Sequence, residues 1–292
     1  MIKILIPVIF SDYSLNALNF GLTLAEKFPA EITVLHCFPI YEDRPDQNIP
    51  NGNTGSESRT SWLSPEQQDQ EVRVKLKTLV EQKLVAMSVD QKANIVLKYH
   101  FEYGYPEDVI PKMSCRENYD VIIMGTKTKG ETIKELLGSV TGDVIQRVTV
   151  PVLAVPAHSV IDLSRIGKVL FLTEFDELDY FSMHRLIRIM TPFDTEIHAV
   201  HFCHKREDSN DVEQLERFKQ YCESTYRNHR ILFHMLAGND FVKSMEKYVS
   251  ENQIDIIAMT RKKRSLLHRW FNKGITRKLL FHTDLPLLVF HS

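Results

Sequence analysis

The sequence predicts an α/β protein made of two tandem doubly wound domains, each with a mainly parallel five-stranded sheet and helices on both faces. Three observations lead there. Short apolar runs alternate along the chain with longer helical patterns, the sign of a parallel sheet covered on both sides. The chain also repeats itself, and its 292 residues, with 43% hydrophobic and 25% charged side chains, suffice for two globular cores.

The repeat is read by offset. "KILIPVIFS" at 3–11 lies against "KVLFLTEFD" at 168–176, an offset of 165, and the same offset brings "EITVLHCF" at 31–38 onto "EIHAVHFC" at 196–203. "YDVIIMGTK" at 119–127 meets "IDIIAMTRK" at 254–262 at an offset of 135, which also carries "PVLAV" onto "PLLVF". The first copy therefore holds roughly 30 extra residues, placed in the Pro/Asn/Gly/Ser-rich stretch 41–68, a long loop by composition.

Each copy runs strand, helix, strand, loop, helix, strand, helix, strand, helix, strand. In the first, the strands fall near 2–8, 31–37, 94–101, 120–125 and 151–155. "PAHSVIDLSRIG" links the copies, so the domains are 1–157 and 158–292. The final strands, "PVLAV" and "PLLVF", are expected at the edges where the halves meet, since an exposed apolar edge strand is a liability.

Net charge is −2 with a sequence pI near 6.6, so no global field attracts nucleic acid or an acidic membrane. Cys37, Cys115, Cys203 and Cys222 form no CxxC pair and no dense framework, which points to the cytoplasm rather than to a secreted disulfide scaffold. The apolar N-terminus, interrupted by Pro7, is too short to span a bilayer and reads as a buried strand.

Chemistry concentrates in "MGTKTKGETIKELLGSVT", residues 124–141. A strand, a Gly/Thr/Lys loop and a helix aim backbone N–H groups and a positive dipole end at one place, where an anion can sit. The same glycines also suit a tight strand-to-helix junction, with Ser or Thr capping the helix.

With these motifs on the page, the chain resembles the universal stress protein family in its tandem two-domain form, through "KILIPVIFS", "VLHCF", "DVIIMGT", "GSVT" and "VPVLAVP". Some members of that family bind ATP through a GxxGxxxxxxxxxG[ST] motif and an Asp two residues after the proline of the first strand, and others bind no nucleotide. In that family the final strands pair antiparallel between subunits, so the resemblance implies an internal pseudo-dimer of the two copies, with a homodimer a further expectation. The resemblance implies a candidate nucleotide site in the first copy at Pro7, Ile9, Cys37, Met124, Gly125, Thr128, Gly138, Ser139, Val140 and Thr141.

Two departures weaken it. Thr128 stands where the middle glycine belongs, adding a Cβ where backbone approaches phosphate. Ile9 holds the position of the adenine-contacting Asp and accepts no hydrogen bond.

In the second copy Glu174 keeps an acceptor at the Asp position, but Thr260 and Lys273 replace two glycines and Gly274 falls on the Ser. Eight cations between Arg261 and Lys278, without an intervening acid, suggest a solvated face, an anion site or, least of all, a nucleic-acid patch. The anion candidates are Glu174, Arg261, Lys262, Lys263, Arg264, Lys273 and Thr276.

In "HAVHFCHK", strand alternation sends His201 and Cys203 to one face and His198 and His204 to the other, so at most two can meet one metal, and no metal site is assigned. No nucleophile elbow, HExxH or paired carboxylates stand out. The expected function is a cytoplasmic, non-enzymatic stress-response binding or signalling protein with at most a residual ATP site in the first domain. The alternative is a scaffold that meets a protein partner through the basic face and the long loop.

Overall fold

The computed structural model describes residues 1–39, 64–85, 87–126, 140–157, 166–204, 209–261 and 284–291. The first copy contributes β1 (Ile2–Pro7), α1 (Asp12–Ala25), β2 (Ala30–Phe38), α2 (Pro65–Val85), α3 (Val89–Ala93), β3 (Ile95–Tyr103), α4 (Pro106–Glu117), β4 (Val121–Thr126), α5 (Val140–Arg147) and β5 (Val152–Pro156). The second contributes β6 (Lys168–Leu172), α6 (Glu177–Met190), β7 (Glu196–His204), α7 (Ser209–Thr225), β8 (Arg230–Gly238), α8 (Phe241–Asn252), β9 (Ile256–Arg261) and β10 (Leu287–His291). The expected strands are present to within two residues at each end.

The two five-stranded halves join into a single ten-stranded sheet in the order β3-β2-β1-β4-β5-β10-β9-β6-β7-β8. Every recorded pairing is parallel except the central one, where Leu287, Leu288 and Val289 of β10 face Ala154, Leu153 and Val152 of β5 antiparallel. The expected pairing of the two final strands is therefore observed. It leaves neither apolar edge open, which removes an aggregation hazard.

The eight inner strands are largely buried on both faces, the edge strands β3 and β8 on one at most, and alternation sorts their side chains. Ile4 and Ile6 join one core with helices α1, α2, α6 and α7, whereas Leu5 joins the other with α4, α5 and α8. Both cores run through both copies. On the first face, Phe28 meets Phe193 edge to face at 6.3 Å, so the halves share aromatic packing as well as strand pairing.

The copies also share their anchors. Asp120, just before β4, accepts from the Lys3 N–H at 2.9 Å, and Asp255, just before β9, accepts from the Lys168 N–H at 2.9 Å. Asp120 additionally pairs with Arg188 of α6, across the domain junction.

One boundary differs from the sequence reading. Residues 65–68, assigned to the long loop, are the first turn of α2. Ser64 and Gln67 cap each other's backbone, the Ser64 N–H donating to Gln67 Oε1 at 2.9 Å and the Gln67 N–H to Ser64 Oγ at 3.3 Å. That reciprocal box fixes the helix start against the Pro- and Ser-rich composition. The rest of the stretch, 41–63, and the linker 158–165 lie outside the described residues.

Candidate functional site

In each half the chain reverses its direction of travel across the sheet beside the first strand. β1 has β2 on one side and β4 on the other, and β6 has β7 and β9. The carboxyl ends of such strands form the crevice in which doubly wound sheets take ligands.

Both copies build the rim of that crevice in the same way. Phe10 and Phe175 both carry φ 59, a left-handed backbone that costs a bulky residue roughly 1–3 kcal/mol and persists only where surroundings hold it. The turn sets each ring on a histidine of the second strand, Phe10 with His36 at 5.5 Å and Phe175 with His201 at 4.9 Å between centroids. His36 donates from Nδ1 to the Val8 carbonyl at 2.7 Å, and His201 from Nδ1 to the Thr173 carbonyl at 2.8 Å. Burial holds the His36 pKa below its ordinary value. These histidines lock the strand ends, as expected of a packed and hydrogen-bonded position.

In the first copy, Gly125 needs to be glycine. A Cβ there would lie 2.1 Å from the Tyr13 carbonyl oxygen and 2.3 Å from its carbon, so α1 starts directly against the end of β4. Thr141, buried at the start of α5, donates from Oγ1 to the Gly125 carbonyl at 2.9 Å. Pro7 ends β1 opposite Leu35, and Met124 is buried in β4 opposite Ala154. The Ile9 N–H donates to Ser14 Oγ at 3.3 Å, while its side chain is 48% exposed and Val140 also faces solvent. Cys37 is half-buried, and burial followed by nearby Glu102 and Glu107 pushes its thiol up to about 12, well away from a reactive thiolate.

The second copy makes the corresponding contact through a bonded set of polar side chains. Asp179, at the position of Ser14, is 1% exposed. Its Oδ2 accepts from Thr173 Oγ1 at 2.9 Å and from the Glu174 N–H at 2.7 Å, and its Oδ1 accepts from Thr260 Oγ1 at 2.6 Å. Burial, then the neighbouring Asp176, raises the Asp179 pKa to about 6 against these three donors. Thr260 occupies the place of Gly125, so a Cβ stands where, in the first copy, the Tyr13 main chain comes close.

Of the residues implied by the resemblance, the structure gathers Pro7, Ile9, Met124, Gly125 and Thr141 around the first crevice, with Cys37 near the end of β2 and Val140 opening α5. Thr128, Gly138 and Ser139 lie outside the described residues, as do Lys262, Lys263, Arg264, Lys273 and Thr276.

Arg261 is the one basic anion candidate among the described residues. It is buried at the end of β9, and Nη1 contacts the Ile145 and Gln146 carbonyls at 3.4 Å each. His291 adds Nε2 to the Ile145 carbonyl at 2.8 Å. Together they serve the C-terminal end of α5, where orphan carbonyls and the negative dipole end favour a cation. Glu174 contributes its backbone N–H to Asp179.

The histidine cluster divides as alternation requires. His198 is buried on one face, bonded to Tyr248 at 2.8 Å and Glu196 at 3.0 Å, and His201 lies on the other with Cys203. Sequence reasoning missed the third member of that second group, Asp211 of α7, along with Ser14, Asp179 and Thr173. The repeat offset aligns Ser14 with Asp179, the one available signal.

The family model for universal stress proteins matches residues 1–156, more than half of the chain. The chain belongs to the universal stress protein family. A universal stress protein of Methanocaldococcus jannaschii is 32% identical over 155 residues, covering 52% of this chain and 81% of that protein. The crystal structure of a universal stress protein from Archaeoglobus fulgidus matches over 99% of this chain and 98% of that one, with a TM-score of 0.72 at 18% identity. The cytoplasmic domain of a prokaryotic cation chloride cotransporter matches over 99% and 94%, with a TM-score of 0.57 at 10% identity. Both likenesses are of fold, and both span the two halves of this universal stress protein. No helix among its described residues is long and apolar enough to cross a membrane.

Proposed function

We propose that the protein is a non-catalytic stress-response binding protein whose first copy holds a weak adenine-nucleotide site at most, at the β1/β4 crevice, and whose second copy has abandoned that role. The observation carrying this reading is the contrast between the two turns. Gly125 puts no side chain of its own at the end of β4, where the Tyr13 main chain comes within 2.1 Å of where a Cβ would stand, whereas Thr260 and Asp179 bond to each other at 2.6 Å in the corresponding place.

The family resemblance supplies the ligand class, and Ile9 limits its strength, because an exposed hydrocarbon offers an adenine edge no acceptor. Backbone amides, the Thr141 hydroxyl and an inert Cys37 thiol suit binding rather than activation of water.

The test is an ATP titration followed through backbone amide resonances of the whole chain. Shifts at Ile9, Gly125, Val140 and Thr141, without shifts at Glu174 and Thr260, are expected. Shifts centred on the second copy would contradict the reading. A scaffold without small ligand is the second reading, favoured by the apolar surface that Ile9 and Val140 expose. A titration silent at both crevices would select it.

A further inference from the structure

His201, Cys203 and Asp211 present one imidazole nitrogen, one sulfur and one carboxylate oxygen within 4.8 Å of one another. We propose that they form a three-ligand site for a borderline-soft divalent cation, of the class of Zn²⁺, that ties the end of β7 to the first turn of α7. The donor set is the mixed N, S and O type that zinc accepts with a fourth position left to water.

The geometry prepares each ligand. A carbonyl oxygen cannot donate, so the 2.8 Å contact of His201 Nδ1 with Thr173 O fixes the proton on Nδ1 and leaves the lone pair of the neutral ring on Nε2. Phe175 packs on the ring and holds its orientation. Asp211 Oδ2 lies 3.7 Å from His201 Nε2 and 3.8 Å from Cys203 Sγ. A tetrahedral zinc holds N and O donors roughly 3.3–3.5 Å apart and O and S donors roughly 3.5–3.7 Å apart, so these two edges need shorten by only a few tenths of an ångström. Cys203 and His201 are largely buried while Asp211 reaches solvent, which gives an ion a path in.

The first copy is an internal control, because it keeps the histidine and an acid but no thiol. Phe38 stands where Cys203 does, opposite Tyr103, and Tyr103 donates to Asp69 at 2.5 Å. In the second copy the pair is Cys203 opposite Ala237. The second copy thus has a thiol and a methyl where the first has two aromatic rings.

The experiment uses the full chain, stripped with chelator and titrated with Co²⁺ and then with Zn²⁺. One Co²⁺ per chain should give a thiolate-to-cobalt charge-transfer absorption, and Zn²⁺ should displace it. Cys203→Ser should remove the absorption and Asp211→Asn should weaken binding at least about tenfold, whereas Cys115→Ser should leave both unchanged. Asp211→Asn also guards against misfolding, because its position is partly exposed and its amide cannot carry the charge. Absence of the absorption, its persistence in Cys203→Ser, or equal Zn²⁺ affinity in Asp211→Asn would overturn the proposal.

Discussion

Thr260 donates a 2.6 Å hydrogen bond to the buried carboxylate of Asp179 at the place where, in the other half of the molecule, Gly125 lets α1 touch β4. The two halves thus solve one packing problem by different means, bare backbone in the first and a bonded pair of side chains in the second.

That pair makes stability depend on pH. The folded Asp179 pKa of about 6 lies above the ordinary 3.8, so between those values the folded state holds a proton that the unfolded chain has released. The associated stability is fully present below about pH 4 and is lost as pH rises through about 6, amounting to roughly 3 kcal/mol. Asp179→Asn should remove this slope. Denaturant unfolding of both proteins from pH 4 to 7 should show the difference between them moving in favour of Asn as pH rises.

Thr260 should matter through its hydroxyl. Thr260→Val leaves the ionised carboxylate one donor short and is expected to cost about 1.5–3 kcal/mol at neutral pH. Thr260→Ser keeps the donor and should stay near the parent. Thermal unfolding of the two variants separates them.

Gly125→Ala should destabilise by about 2–3 kcal/mol, because the new methyl meets main-chain atoms of Tyr13 that cannot rotate away. Thr260→Ala, at the matching position, introduces no such clash. Its cost should be confined to the lost hydrogen bond and methyl, and paired unfolding curves test the asymmetry.

The junction of the halves should be energetically shared. Leu153 and Leu288 are buried cross-strand partners in the antiparallel pair. Each truncation to Ala is expected to cost about 2–4 kcal/mol, with the double variant losing less than the sum. Arg261→Met should weaken the same junction by removing the cation from the end of α5, by about 1 kcal/mol.

The fold was legible because the repeat places four apolar runs per copy at fixed offsets, and inner parallel strands buried on both faces show little else. The edge pairing of β5 with β10 followed from the same runs together with the family resemblance. Partners distant in sequence were not legible. Thr260 and Asp179 are 81 residues apart, and nothing in "FDELD" distinguishes a helix-capping acid from a buried one. Arg261 looked like the first member of a cation run, yet it ends a strand and turns inward to another domain's helix. The start of α2 was written in the sequence as "SPEQ", where composition concealed a capping box.

The most direct test of the central claim is calorimetric titration of ATP into the parent chain and into the Ile9→Asp, Thr128→Gly double variant. Restoring an acceptor at position 9 and a bare backbone at 128 should strengthen binding by about 1–3 kcal/mol, roughly 5- to 150-fold, from a weak or undetectable starting point. Tight, adenine-selective binding by the parent, unchanged by the two substitutions, would contradict it.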